Sequence, residues 1–253
     1  MSKVYLVASG KGGVGKTTVC ANLGLAFASE GYNVSLVDAD IGLNNLDVAL
    51  GVEDRVSYDV IDVIEERVKL NRAMIDVSPN LKLLPSTKIN VSDRVSASML
   101  KKIIGEICLT ADVVFIDAPA GIELGLHRAA SCATEAIIVT TPHVSAIKDA
   151  DRAIGVLSTY SLKGIGVVVN RYRSDLFNRG EILDAESIAE ILHVPLYGVI
   201  PESDKIGVYS TIECYGRDKA KQAYYEIKDT LKNGGKLNEK GKKTSSIFRR
   251  WFA

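Results

Sequence analysis

Apolar positions along this chain of 253 residues fall into short runs separated by longer stretches of helical spacing. The runs Val4 to Ser9, Val34 to Val37, Leu81 to Leu84, Val113 to Ile116, Ala136 to Thr140, Ile165 to Val169 and Leu196 to Ile200 are brief and rich in β-branched residues. Bounded by Gly, Pro or Asp, they read as strands buried on both faces. Between them, apolar residues recur at intervals of three and four: Val19, Leu23, Ala26 and Phe27; then Val95, Met99, Ile103, Ile104 and Ile107. Val144, Ile147, Ile154 and Leu157 follow, and last Ala220, Ala223, Tyr224, Ile227 and Leu231. Each set predicts the buried face of a helix. Strands alternating with helices predict an α/β fold: a doubly wound, mostly parallel sheet with helices on both faces and its ligand at the carboxyl ends of the strands. Residues 1–231 are read as this domain, 232–243 as a basic flexible linker, and 244–253 as an amphipathic tail helix.

Composition narrows the partners. Hydrophobic residues make up 47% of the chain, enough for one full core. The 31 basic and 31 acidic residues argue against a protein that coats nucleic acid through overall charge. Cys20, Cys108, Cys132 and Cys214 are far apart, without the spacing of a zinc set, and read as reduced thiols of a cytosolic protein. No stretch approaches the ~18 apolar residues that span a bilayer.

The sharpest signal is Gly10-Lys11-Gly12-Gly13-Val14-Gly15-Lys16-Thr17, which fits the P-loop pattern G-x-x-x-x-G-K-[ST] between a predicted strand and a predicted helix. Its glycines let backbone N–H groups curl around phosphate oxygens, and the helix that follows points its positive end at the same anion. Lys16 is expected to supply charge to the β- and γ-phosphates of a nucleotide, and Thr17 a hydroxyl for Mg²⁺. Lys11 is a second cation in the same loop. Placed beside Lys16 it would meet like charge, so it is expected to point outward, toward a partner.

Two acidic sites fit the same chemistry. Asp117 ends the run Val113 to Ile116, where a carboxylate can meet the Mg²⁺ held by Thr17. The loop Asp117-Ala-Pro-Ala-Gly121 follows, and the Gly121 N–H is expected to answer to the γ-phosphate. Asp38 and Asp40 close the second strand, and alternation predicts both carboxylates on one side of the chain. One would support the metal shell while the other orients the attacking water. The histidines, His127, His143 and His193, are scattered and receive no catalytic role.

With Lys11 in place, Gly-Lys-Gly-Gly-Val-Gly-Lys-Thr-Thr is a deviant Walker A motif. Together with Asp38-Ala-Asp-Ile-Gly-Leu-Asn-Asn-Leu-Asp47 and Asp117-Ala-Pro-Ala-Gly-Ile-Glu123, it makes the chain from Lys3 to about Leu231 resemble the MinD/ParA class of P-loop ATPases, the segment Asp40 to Gly51 its MinD branch in particular. The resemblance implies a slow, Mg²⁺-dependent ATPase that works as an ATP-dependent homodimer, with Lys11 reaching the partner's phosphates and Lys16 and Asp40 completing the catalytic set. It implies that Asp40 positions water, that Thr18 and Asn45 assist at the active interface, that Asn170 and Arg171 meet the adenine, and that Pro201 and Glu202 line the base pocket. Ala118 departs from the Ser or Thr of many relatives.

The C-terminus separates the branches. Ile247, Phe248, Trp251 and Phe252 fall within about 140° of a helical wheel, with Arg249 and Arg250 on the opposite arc. Seven Lys or Arg against one Glu between Lys232 and Arg250 add attraction to an anionic membrane surface. The pattern predicts peripheral attachment to a membrane; with the resemblance it implies a cytoplasmic protein at the inner face of the cell membrane that positions the division site, leaves on ATP hydrolysis, and works with division-inhibitor and ATPase-activating partners of the Min type. A flagellar-placement ATPase of the FlhG type shares such a tail but usually brings an N-terminal activation helix. A ParA-type DNA-partitioning ATPase would carry basic residues on the folded domain and need no aromatic tail.

Overall fold

A computed structural model describes residues 2–89, 91, 94–211 and 218–236. The first half contributes β1 (Lys3–Ala8), α1 (Lys16–Ala28), β2 (Val34–Asp38), α2 (Leu46–Leu50), α3 (Val60–Ile64), α4 (Leu70–Ala73), β3 (Ile75–Ser78), β4 (Leu81–Leu84) and α5 (Ala97–Ile107). The second half contributes β5 (Val113–Asp117), α6 (Leu124–Ala130), β6 (Glu135–Thr140), α7 (Val144–Leu157), β7 (Ile165–Tyr172), α8 (Ser174–Asn178), α9 (Ala185–Ile191), β8 (Leu196–Pro201), α10 (Asp204–Tyr209) and α11 (Lys219–Lys232). They build one eight-stranded sheet in the order β3-β4-β2-β5-β1-β6-β7-β8. All neighbours are parallel except β3 and β4, so the predicted doubly wound sheet is present with one antiparallel edge.

Each face of the sheet packs its own apolar layer. Val4, Leu6, Val114, Ile116 and Ile138 face α5, α6 and α7, while Tyr5, Val7, Leu36, Phe115 and Val168 face α1 and α11. Adjacent residues on one strand therefore enter opposite layers, as the period of two requires. Under α1, Tyr5 stacks on Phe115 at 5.4 Å between ring centroids and Phe27 meets Phe115 edge-on at 5.6 Å.

Two predicted helical faces shift. On α5, Met99 is exposed, and Leu100 joins Ile103, Ile104 and Ile107 in the core. Ser96 caps this helix by accepting from Met99 N–H, which starts it after Val95 and rotates Met99 off the stripe. On α7, Val144 is exposed at the first turn, and Ala146, Ala150 and Ala153 complete the face of Ile147, Ile154 and Leu157. The final helix holds as expected, with Ala220, Ala223, Tyr224, Ile227 and Leu231 all buried.

The segment expected to be a flexible linker begins inside the fold. Gly234 and Gly235 take left-handed backbone and close α11 with bonds from Gly234 N–H to Leu231 O and from Gly235 N–H to Thr230 O. A Cβ on Gly235 would come within 2.7 Å of the Tyr197 ring, so the chain leaves in close contact with β8. The expected tail helix, with Ile247, Phe248, Arg249, Arg250, Trp251 and Phe252, and Cys214 lie outside the described residues.

Candidate nucleotide-binding site

The loop from Ser9 to Gly15 joins the carboxyl end of β1, the central strand of the sheet, to α1. Helices α5, α9 and α11 start with a side-chain cap from Ser96, Asp184 and Asp218. Helix α1 has none. Its first residue follows Gly15, held in left-handed backbone at φ 88°, so the N–H groups of its first turn face the loop without a side-chain acceptor. Two glycines are demanded by packing as well as by an anion. A Cβ on Gly10 would lie 1.8 Å from the Asp149 carbonyl oxygen of α7, and one on Gly15 would lie 2.4 Å from Asn170 Nδ2. The loop is wedged between α7 and the end of β7.

Strand register assembles the acids. Asp38 on β2 pairs directly with Asp117 on β5, so their carboxylates share one face at the carboxyl edge. Asp117 is buried and accepts from Lys16 Nζ at 2.6 Å and from Thr17 Oγ1 at 2.7 Å. Burial works against the Lys16 charge, but the Asp117 carboxylate more than offsets it and holds the ammonium above its ordinary pKa.

Asp38 is buried completely, and its two oxygens accept three backbone N–H groups: Asp40 at 3.0 Å, and Asn45 and Leu46 at 3.1 Å each. Burial, with Asp117 beside it, pushes its carboxyl up to about 7 against the pull of those donors. Asp38 thus anchors the loop from Asp40 to Leu46 in addition to standing behind Asp117. Strand β2 ends at Asp38, so Asp40 lies beyond it, yet both carboxylates feel Lys16 and Asp117. Asp40 is half-buried, and desolvation raises its carboxyl despite Lys16 nearby.

Thr17 and Thr18 are half-exposed at the start of α1. Asn45 begins α2 and is exposed, as is Lys11. The Lys11 ammonium reaches Ser145 Oγ on α7 at 3.4 Å, a partner no local pattern announces. Gly121 takes left-handed backbone at φ 94°, but its N–H already donates to Ser9 O at 3.0 Å, so a phosphate would have to displace that bond. At the far side, Asn170 is buried and donates through Nδ2 to Val14 O at 2.8 Å, which makes it a brace of the loop. Arg171 is exposed in left-handed backbone at φ 55°, and Pro201 and Glu202 lie at the end of the neighbouring strand, with Glu202 N–H on Tyr172 O. These four therefore occupy one rim.

Sequence reasoning missed an apolar feature of this edge. Leu43 and Val48 after β2, Ile122 and Leu124 after β5, and Val144 after β6 are exposed at the carboxyl ends of nearby strands. They sit in loops or in the first turns of three separate helices, and Val144 reads in the sequence as part of a buried stripe, so only the topology collects them.

The donors suit Mg²⁺ and a nucleotide triphosphate. The Thr17 hydroxyl and Asp117 carboxylate are hard oxygen ligands, few enough to leave places for phosphate oxygens and water. Among the described residues, no group of three or more His, Cys, Asp or Glu is set to enclose a metal by itself.

A phosphate-cradling loop on the central strand of a doubly wound sheet, with acids ending two neighbouring strands, defines a P-loop NTPase. Residues 1–228 match the ParA family, described as "NUBPL iron-transfer P-loop NTPase". The chain is 43% identical over 208 residues to the septum site-determining protein MinD of Synechocystis, covering 81% of this chain and 78% of that one. The solved MinC:MinD cell division protein complex of Aquifex aeolicus superposes with a TM-score of 0.82 at 38% identity, covering 92% of this chain and 96% of that one. MinD of Pyrococcus horikoshii, complexed with Mg-ADP, gives 0.80 at 31% identity, covering 91% and 96%. The chain belongs to the MinD family of septum site-determining ATPases, within the ParA-type P-loop NTPases.

Proposed function

We propose that this chain binds ATP and Mg²⁺ at the loop, pairs with a second copy through its carboxyl edge, and hydrolyses ATP slowly in that homodimer. The observation that carries this reading is the placement of Lys11. It is exposed, reaches Ser145 on α7, and lies on the same edge as Leu43, Val48, Ile122, Leu124 and Val144. Exposed apolar residues beside an unneutralised cation fit a second protomer that covers them and offers phosphate to the lysine. Bound Mg²⁺, held by Thr17 and Asp117 with Asp38 behind them, would neutralise charge on the β- and γ-phosphates. Lys16 would exchange Asp117 for phosphate, and Asp40, half-exposed at the mouth of the loop, would orient the attacking water.

The same reading gives residues 244–253 the role of a membrane anchor. The dimer, with two tails, would sit on the inner face of the cell membrane, place the division site, and leave when ATP is spent. The Mg-ADP complex of the Pyrococcus relative supports the ligand, and the MinC:MinD complex supports a division-inhibitor partner; an ATPase-activating partner of the Min type is proposed with it. Among the described residues, no helix is long and apolar enough to cross a membrane.

Sedimentation velocity in ATP and in ADP tests the central claim. The parent protein is expected to dimerise in ATP alone, and Lys11→Ala to stay monomeric while still binding nucleotide. A Lys11→Ala dimer in ATP would remove the assignment.

A further inference from the structure

Asn22 lies on α1 one turn beyond Thr18 and is completely buried. Its Nδ2 donates to two carbonyls: Thr18 O in its own helix at 2.8 Å, and Ser210 O at 2.9 Å, 188 residues along the chain. Ser210 closes α10 and takes left-handed backbone at φ 64°. The segment from Glu202 to Thr211 is pinned along its length. Glu202 N–H holds Tyr172 O on β7, Ser203 Oγ reaches the Asp218 carboxylate at the start of α11 at 3.4 Å, and Ser210 O takes the Asn22 amide. Of these, the Asn22 bond alone ties the segment to the helix that carries Lys16 and Thr17.

We infer that Asn22 is a positioning residue for recognition of the nucleoside, fixing the segment after β8 at a set distance from the phosphate loop. The inference rests on the nucleotide reading given above. A nucleotide has two ends, and the two ends of this site belong to different elements: the phosphate loop to β1 and α1, the rim to the ends of β7 and β8. Asn170 Nδ2 on Val14 O ties the end of β7 to the loop, but the segment that continues from Glu202 to Thr211 lies far along the chain from α1 and meets it through Asn22. The buried Asn22 amide, donating to both sides, sets the separation of α1 from Ser210, and a buried donor with two carbonyl acceptors does so with little freedom. Ser210 in left-handed backbone is conformationally costly for a serine, so the turn depends on outside contacts to persist. Losing the Asn22 bond leaves the segment from Ser203 to Thr211, which continues the rim, to be ordered at the moment of binding, and that entropy falls on ligands that touch the nucleoside end of the site.

The test compares ATP with inorganic tripolyphosphate, which offers the phosphate loop the same anion and the rim nothing. Asn22→Leu keeps the volume and removes both donors; Asn22→Ser keeps one donor and serves if the leucine variant does not fold. By isothermal titration with Mg²⁺, Asn22→Leu is expected to weaken ATP about tenfold and Asn22→Ser about threefold, with tripolyphosphate affinity unchanged in both. The preference for ATP over GTP should fall in parallel. A merely structural role would lower the melting temperature without changing the ratio of ATP to tripolyphosphate affinity, and that result would overturn the inference, as would equal weakening of both ligands. If the parent protein binds neither ligand, the nucleotide reading itself fails and takes this inference with it.

Discussion

Asp117 is held by two groups that a nucleotide would contest. In the structure Lys16 and Thr17 both spend their donors on it, so phosphate binding must exchange one set of charge-assisted bonds for another. Removing Lys16 would do two things at once: abolish the charge for phosphate, and leave a buried carboxylate without its cation, a loss of about 3–5 kcal/mol in stability. Lys16→Gln separates these effects, because its amide can still donate to Asp117. It is expected to fold and to lose productive ATP binding in a fluorescence titration. Asp40 is half-buried and anchors its loop through backbone rather than side chain, since its N–H, not its carboxylate, meets Asp38. Asp40→Ala should therefore bind ATP and dimerise like the parent while turnover falls roughly 100-fold or more. Single-turnover hydrolysis at the parent rate would show that Asp40 does not orient the water. The motif residues were legible because a P-loop is a local pattern. The reasons for Gly10 and Gly15 were not, because they sit in α7 and β7, far along the chain. The anchoring bonds of Asp38 were hidden for a similar cause: its three N–H partners come from a turn that strand alternation cannot foresee.

At the scale of elements, the last helix is fastened to the first. Helix α11 runs back along the sheet, and its Leu231 carbonyl accepts from Lys3 Nζ at 3.0 Å and Tyr5 Oη at 3.2 Å on β1. Lys228, buried at 2% exposure, pairs with Glu30 just beyond α1, and Lys232 reaches the same carboxylate at 2.9 Å. Bonds from Lys228 and then Lys232 hold the Glu30 carboxyl below its ordinary value of 4.5. A depressed folded pKa means that the stabilisation is complete above the unfolded value and is lost as pH falls through the folded one. Glu30 is about one-third exposed, so solvent screening keeps the pair modest, about 1 kcal/mol. Glu30→Gln should lower stability by about that amount near neutrality in urea unfolding, and should flatten the pH dependence below about 4.5, where the parent continues to lose stability. An unchanged acid slope would show that Glu30 is not the group responsible. This fastening was invisible in the pattern that identified α11, which reports one apolar face and says nothing of a buried lysine. The antiparallel strand β3 escaped for a different reason. Ile75-Asp-Val-Ser78 is short, lies at an edge, and buries Ile75 alone, so no apolar run marks it.

For the whole molecule, the two ends of the sheet divide the work. Nucleotide residues, Lys11 and the exposed apolar loops lie at the carboxyl edge, whereas α11 finishes at the amino edge, where Lys3 and Tyr5 begin β1. Gly235 therefore lies at the end opposite the proposed dimer surface. Membrane attachment and ATP chemistry should then be separable by truncation. Burying Ile247, Phe248, Trp251 and Phe252 could gain roughly 1.5–3 kcal/mol per side chain at full depth, but shallow insertion and ordering of the peptide cancel much of it. A helix of about ten residues is marginal by itself, so one tail would be a weak anchor. Two tails on one dimer make the second insertion intramolecular, and avidity can raise apparent affinity ~100-fold without any new contact. ATP would thus set location by setting the number of tails. Deleting residues 244–253 is expected to leave ATP-dependent dimerisation and basal ATPase unchanged and to remove binding to anionic vesicles. Trp251→Glu should do nearly the same by placing a charge on the inserting face. Cosedimentation with vesicles in ATP and in ADP decides the matter: a truncated protein that still pellets with lipid, or a full chain that pellets equally in ADP, would show that tail number does not control attachment.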